Sequence, residues 1–343
     1  MIKVLIVDDS ETSRLALRYI INRAEDMEIV AEAKSGEEGI RLTEKLRPDI
    51  ILMDMVMPGM DGLEATSEIM HQVPTPIIVI SASLEGSETE IAFRAMRRGA
   101  LTVLQKPVGP LEPQYPAQAD RILQTLRTMS GVRVIHHKRV FSPPTKTASK
   151  PVIPKPVLGR ADVVAIVSST GGPGALSEIL GKIPVNYPLP IIVVQHITAD
   201  FLPSMVKWLN TVASLNVQIA VEGDSPSVGN VYFAPGHAHL CLDSAGRFCF
   251  NTKTKASITP SGDVLLESIA KYYQARAVGV ILTGMGDDGT VGLGKMYQAG
   301  AFTIAQDEAS SVVFGMPQAA IKKGVVRSVL SLSEIPNALL NIP

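Results

Sequence analysis

Asp162-Val-Val-Ala-Ile-Val-Ser168-Ser169-Thr170-Gly171-Gly172-Pro173, continuing to Leu180, is the stretch on which the fold turns. Residues 163–167 are short, continuous and β-branched, which reads as a buried strand and not a helix. Gly171 and Gly172 allow a tight turn, and Pro173 suits the first turn of a helix through Ala175, Leu176, Ile179 and Leu180. A serine at this corner stands at the carboxyl end of a sheet strand and beside a helix N-terminus, where developing negative charge is favoured. Ser169 is therefore a candidate nucleophile. The competing reading is an N-cap, worth about 1 kcal/mol and no chemistry. The Gly-x-Ser-x-Gly elbow of α/β-hydrolases is missing, because Val167 and Ser168 precede the candidate.

Outward from this corner, strands and helices alternate. Strands are predicted at 163–167, 191–195, 217–221, 230–234, 239–242, 247–250, 278–282 and 302–305, and helices near 174–182, 201–211, 262–274, 290–299 and 315–323. Asp243-Ser-Ala-Gly246 reads as the turn of a β-hairpin. His196 follows the strand 191–195, and Thr283-Gly-Met285-Gly-Asp287-Asp288-Gly289 follows the strand 278–282. If both strands flank 163–167 in parallel, a serine, a histidine and an aspartate meet at one sheet end, where α/β folds place their sites. The glycines around Met285 let backbone N–H groups approach a substrate as an oxyanion hole. These residues alone leave Ser168 against Ser169, and Asp287 against Asp288, unseparated. His237 and His239 compete as the base or as a metal pair on one strand face, although no cysteine or carboxylate cluster accompanies them.

Residues 1–108 alternate in the same way, with strands at 3–7, 29–33, 50–53, 77–80 and 101–104 and helices near 12–24, 36–46, 62–71 and 87–98. A further helix near 116–129 completes this unit. Asp8 and Asp9 end its first strand, Asp54 its third and Ser81 its fourth, while Lys106 follows its fifth. Three converging carboxylates repel one another, and a hard divalent cation such as Mg²⁺ relieves this while also binding phosphoryl oxygens. Asp54 can then attack phosphorus, with Ser81 and Lys106 holding the transferred oxygens. Residues 131–160 carry five prolines and seven basic side chains without an acid, and read as an extended linker.

Composition narrows the classes. The chain has 343 residues, enough for two domains with full cores, and a formal net charge of −1 gives no global basic field for nucleic acid or anionic membrane. No apolar run has the length of a membrane span, so no direct membrane insertion is expected. The start meets Asp8 and Asp9 too early for a signal peptide. Cys241 and Cys249 do not make a disulfide framework, and are expected as reduced core residues of a cytoplasmic protein.

Val-Asp8-Asp9-Ser, Asp54-Met-Val-Met-Pro58-Gly-Met-Asp61-Gly62, Ser81-Ala82 and Lys106-Pro107 together resemble a response-regulator receiver domain. The resemblance implies that Asp54 accepts phosphate from a histidine kinase and that Asp8 and Asp9 place Mg²⁺. Val103 stands where that family usually has a switch aromatic. Downstream, Ser169-Thr-Gly-Gly, Val194-Gln195-His196, Ala234-Pro235-Gly236, Pro260-Ser261-x-Asp263-Val-Leu, Leu282-Thr-Gly-Met-Gly-x-Asp288-Gly and the run Gly300–Pro317 resemble the chemotaxis protein-glutamate methylesterase family, often called CheB. That resemblance implies Ser169 as nucleophile, His196 as base, Asp288 as the orienting acid, no cofactor for the ester chemistry, and receptor methyl-glutamates and glutamines as substrates. Val167-Ser168 replaces the family's usual Gly-Ala before the serine.

The expectation is thus an α/β chain of two doubly wound parallel-sheet domains. A flavodoxin-like receiver spans 1–130, a linker 131–160, and a Rossmann-like methylesterase domain with a β-hairpin 161–343. Its partners are methyl-accepting chemoreceptors and a chemotaxis histidine kinase. A DNA-binding output needs a helix-turn-helix and a basic face, which 161–343 does not offer. A nucleotide loop at Ser169-Thr-Gly-Gly lacks both Gly-x-Gly-x-x-Gly and the Walker pattern.

Overall fold

The structure is a computed structural model, and it describes residues 1–81, 91, 93–96, 98–132, 134, 161–197, 199–252, 254, 256 and 258–342. The first unit contains β1 (Ile2–Val7), α1 (Glu11–Ile21), β2 (Met27–Ala33), α2 (Gly36–Leu46), β3 (Ile50–Asp54), α3 (Gly62–Gln72), β4 (Ile77–Ser81), β5 (Thr102–Gln105) and α4 (Tyr115–Met129). Its strands form one parallel sheet in the order β2-β1-β3-β4-β5. The order reverses between β1 and β3, and such a switch point opens a crevice above the strand ends. Asp8 and Asp54 stand there. Ser10, Ser35 and Asp61 cap α1, α2 and α3 through their side chains, so the acids at the strand ends are free for other work.

The second unit contains β6 (Val163–Ser168), α5 (Gly172–Leu180), β7 (Ile191–Gln195), α6 (Leu202–Asn210), β8 (Asn216–Ile219), β9 (Asn230–Phe233), β10 (His239–Leu242), β11 (Phe248–Asn251), α7 (Gly262–Tyr273), β12 (Ala277–Ile281), α8 (Thr290–Gln298), β13 (Phe302–Gln306), α9 (Met316–Lys322), β14 (Ser328–Leu330) and α10 (Ile335–Leu340). Seven strands pair in parallel in the order β14-β13-β12-β6-β7-β9-β8, and β10 with β11 forms a separate antiparallel hairpin. β6 therefore lies between β7 and β12, the arrangement that the serine, histidine and aspartate require. Its side chains are buried along its whole length, which explains an uninterrupted apolar run in place of alternation.

Several expectations need correction. β14 and α10 were not anticipated, since neither three nor six residues carry a readable period. His237 precedes β10 and is exposed, whereas His239 is buried, so the two do not share a strand face. Cys241 and Cys249 are paired as a disulfide where reduced thiols were expected. They are directly opposite across the hairpin with Cα atoms 5.1 Å apart, within disulfide reach. The predicted helix 87–98 is described only at 91 and 93–96, which are helical, and the linker 131–160 lies outside the described residues except for 131, 132 and 134.

The two units share a core. One buried cluster runs from Met53, Phe93 and Val103 to Leu176, Ile179 and Trp208. At its centre the Phe93 ring stacks on Trp208, with centroids 5.1 Å apart and planes 12° from parallel.

Candidate active site

At the end of β6 the chain turns sharply into α5. The helix N-cap is Gly171, which supplies no side-chain bond, so neither serine is a cap. Ser168 Oγ instead donates to Gln195 Oε1 at 2.7 Å. The Ser169 hydroxyl has no hydrogen-bond partner among the described residues, while its main chain is tied down on both sides, by Ser169 N to Thr283 O at 3.0 Å and Gly172 N to Ser169 O at 2.9 Å. A rigid backbone carrying a free hydroxyl is what a nucleophile needs. Gly284 packs against it, where any Cβ would collide with Met316 and crowd Ser169.

His196 follows β7 on the neighbouring strand. Its Nε2 lies 2.8 Å from Asp288 Oδ2, and both side chains are nearly buried. Nδ1 makes no hydrogen bond among the described residues. Ser169 and His196 line one cavity of about 50 Å³ together with Thr170, Pro173 and Phe201. The first unit contributes Met96, Thr102, Val103 and Arg121 to its wall, and Gln195 also lines it.

Asp288 sits over the start of α7. Its Oδ1 accepts from Ser261 Oγ at 2.7 Å and from Asp263 N at 3.3 Å, and Oδ2 accepts from Gly262 N at 2.5 Å besides His196. Burial pushes this carboxyl up, but hydrogen bonds from His196, Ser261 and Gly262 outweigh it and leave the group below the ordinary carboxylate range. His239, a competitor for the base in the sequence, is instead behind this network: its Nδ1 accepts from Ser261 N at 3.0 Å. Asp287 takes no part in it. Ser261 was quoted in the sequence only as part of a motif, and its role becomes visible only when α7 is placed beside the loop after β12.

In that loop Gly284 N donates to Val313 O at 3.0 Å and is unavailable. The Met285 and Gly286 N–H groups make no hydrogen bond among the described residues, so both are candidates to meet an oxyanion.

In the first unit, Asp8, Asp9 and Asp54 bring carboxylate oxygens within 4.8 Å of one another. Lys106 Nζ lies 2.7 Å from Asp54 and 2.9 Å from Asp8. Burial raises the Asp54 carboxyl above its usual range, against the pull of Lys106, and the Asp8 charge adds to the rise. Burial pulls Lys106 down, but the two carboxylates prevail and hold its ammonium firmly charged. Ser81 is buried at the end of β4. Arg14, not singled out in the sequence, clamps the loop by donating to the Asp8 and Asp9 carbonyls at 2.7 and 3.0 Å. An all-oxygen donor set of three acids, one of them exposed, suits a hard divalent ion.

Residues 164–339 match the family described as CheB methylesterase, and residues 4–112 match the response regulator receiver domain. The chain belongs to the CheB methylesterase family. Relatives of this chain include protein-glutamate methylesterase/protein-glutamine glutaminase 4 of Myxococcus xanthus, 38% identical with 98% of this chain and 96% of that protein covered. Another is protein-glutamate methylesterase/protein-glutamine glutaminase 2 of Paramagnetospirillum magneticum, 40% identical with 99% and 97% covered. Among solved structures, the CheB methylesterase catalytic domain of Thermotoga maritima is 38% identical, covers 54% of this chain and all of that one, and superposes with a TM-score of 0.52. No helix among the described residues is long and apolar enough to cross a membrane.

Proposed function

We propose that this CheB-family chain is a phosphorylation-controlled protein-glutamate methylesterase that also deamidates receptor glutamines, acting in the cytoplasm on chemoreceptors. Residues 1–130 act as receiver, 131–160 as linker and 161–343 as catalytic domain. The observation that carries the reading is the partnerless Ser169 hydroxyl in one cavity with His196, whose far nitrogen is held by Asp288.

Ser169 Oγ attacks the γ-carbonyl carbon of a methylated glutamate while His196 Nδ1 takes its proton. The ester oxygen that becomes negative is met by the Met285 N–H. Collapse breaks the bond to methoxide, which leaves as methanol with the proton from His196, and Asp288 stabilises the imidazolium in between. Water, deprotonated by His196, then attacks the acyl-serine and restores Ser169 and a free glutamate. With a glutamine the leaving group is ammonia.

In the receiver, Asp8, Asp9 and Asp54 would hold Mg²⁺, which supplies charge neutralisation for phosphoryl transfer. Asp54 accepts the phosphoryl group from a chemotaxis histidine kinase, and Ser81 and Lys106 bind its oxygens. Without phosphate, the receiver surface bearing Val103 and Arg121 covers the Ser169 cavity.

The test is methanol release from methylated receptor, with and without a small phosphodonor. Wild type is expected to respond to phosphodonor, Ser169→Ala to release nothing, and Asp54→Asn to keep only basal release. Release by Ser169→Ala at the wild-type rate refutes the mechanism.

A further inference from the structure

Two polar side chains beside the cavity are buried more deeply than the triad and have no part in the chemistry above. Ser168 is fully buried and Gln195 is 3% exposed. Gln195 receives the Ser168 hydroxyl on Oε1, and its Nε2 donates to the main-chain carbonyl of Ser169 at 2.8 Å and to that of His196 at 3.0 Å. The amide has only one workable orientation. Backbone carbonyls accept and never donate, so the NH₂ must face them, which leaves Oε1 for the hydroxyl.

The placement supplies something the sheet does not. The last register pair between β6 and β7 is Ser168 opposite Gln195, and the last main-chain bond across it is His196 N to Ser168 O at 2.9 Å. Ser169 and His196 therefore lie at the very end of the ladder, which ties His196 to Ser168 and makes no bond between β7 and Ser169 itself. The Gln195 side chain reaches over that end and bonds to both. Gly172, the first residue of α5, leaves the necessary space, because a Cβ there would overlap Gln195 Oε1.

We infer that Gln195, oriented by Ser168, is a positioning residue that fastens the main chain of the serine to the main chain of the histidine and so sets the distance between Oγ and Nδ1. This rests on the reading of Ser169 as nucleophile and His196 as base. The Ser168 hydroxyl anchors the amide on its Oε1 side, and the two main-chain carbonyls hold it on the other.

The test uses the full chain with phosphodonor, and reads kcat and KM for methanol release together with the rate of Ser169 labelling by a fluorophosphonate. Gln195→Glu keeps the size and the acceptor for Ser168 but has no N–H for the two carbonyls. It is expected to lower kcat and the labelling rate about 100-fold, the cost of a misplacement near 1 Å, with KM within about twofold. Ser168→Ala only removes an oxygen, and is expected to lose about tenfold in both rates, a usual effect of removing an outer partner. Wild-type kcat and labelling in folded Gln195→Glu overturn the inference. If that variant fails to fold, unchanged rates in Ser168→Ala overturn it equally. Ser169→Ala run alongside separates the two ideas: methanol release from it sinks the nucleophile assignment itself, whereas its silence beside an unimpaired Gln195→Glu sinks the clamp alone.

Discussion

Truncating Phe93 to alanine is expected to switch the enzyme on without phosphate. Phe93 is completely buried, and the face of its ring lies on Trp208 of α6, across the junction between receiver and catalytic domain. Burying a whole phenylalanine is worth about 1.5–3 kcal/mol, of which roughly half belongs to the face against Trp208. The stacked geometry adds about 0.5–1.5 kcal/mol. The closed arrangement thus loses about 1.3–3 kcal/mol, which moves a two-state equilibrium about 8- to 150-fold toward the open form. Methanol release from Phe93→Ala without phosphodonor is expected to rise about 8-fold or more, and the further gain on phosphodonor to shrink correspondingly. Trp208 is the sole tryptophan, so its emission reports the same event and should shift to longer wavelength as the indole loses its cover. Phe93→Leu, which keeps most of the apolar contact, should fall between. Basal release at the wild-type level in a Phe93→Ala protein that still gains activity on phosphodonor refutes this account of the junction.

Four other outcomes follow from the two sites. Ser261→Ala removes the short donor to Asp288 Oδ1, and kcat should fall about tenfold with KM little changed, measured by methanol release. The same variant should unfold in acid more readily by circular dichroism. The Asp288 carboxyl is depressed in the fold, so its ionisation contributes stability above the unfolded value near ~3.9, and this contribution fades as pH falls through the folded value. Losing Ser261 makes the depression smaller and moves the acid transition to higher pH. Mg²⁺ at one hundred times its Kd should stabilise the receiver by about 2.7 kcal/mol in thermal melts. Lys106→Ala, which leaves Asp8 and Asp54 facing each other unpaired, should strengthen that Mg²⁺ stabilisation while abolishing the response to phosphodonor.

Both parallel sheets were legible in the sequence because a buried parallel strand is a short β-branched run ending in polar residues, and Val163–Ser168 and Ile191–Gln195 are such runs. Ser169, His196 and Asp288 stood out because each follows a strand, and the order β12-β6-β7 brings them to one sheet end. What could not be read depends on distant partners. Nothing near Phe93 announces Trp208, which lies more than a hundred residues away. Gln195 reads as the last residue of a strand until the end of β6 is laid beside it, and Ser261 stands in the sequence only as a motif residue before a helix, although its hydroxyl is spent on Asp288. The pairing of Cys241 with Cys249 follows from hairpin register, which composition does not report.

The lining of the cavity shows what the closed arrangement covers. Ser169 and His196 share their cavity with Thr102, Val103 and Arg121 of the receiver. A methylated glutamate side chain has six heavy atoms beyond Cα and arrives attached to a receptor backbone, and the receiver residues Thr102, Val103 and Arg121 stand on the wall of the cavity it has to enter. On the reading proposed above, His196 and Asp288 are already in contact while the receiver covers the cavity, so opening is a displacement of β5 and α4 that leaves this contact in place. Val103 is consistent with that: a β-branched side chain held in the shared core has one stiff rotamer and no ring to swing, so the wall moves with its strand.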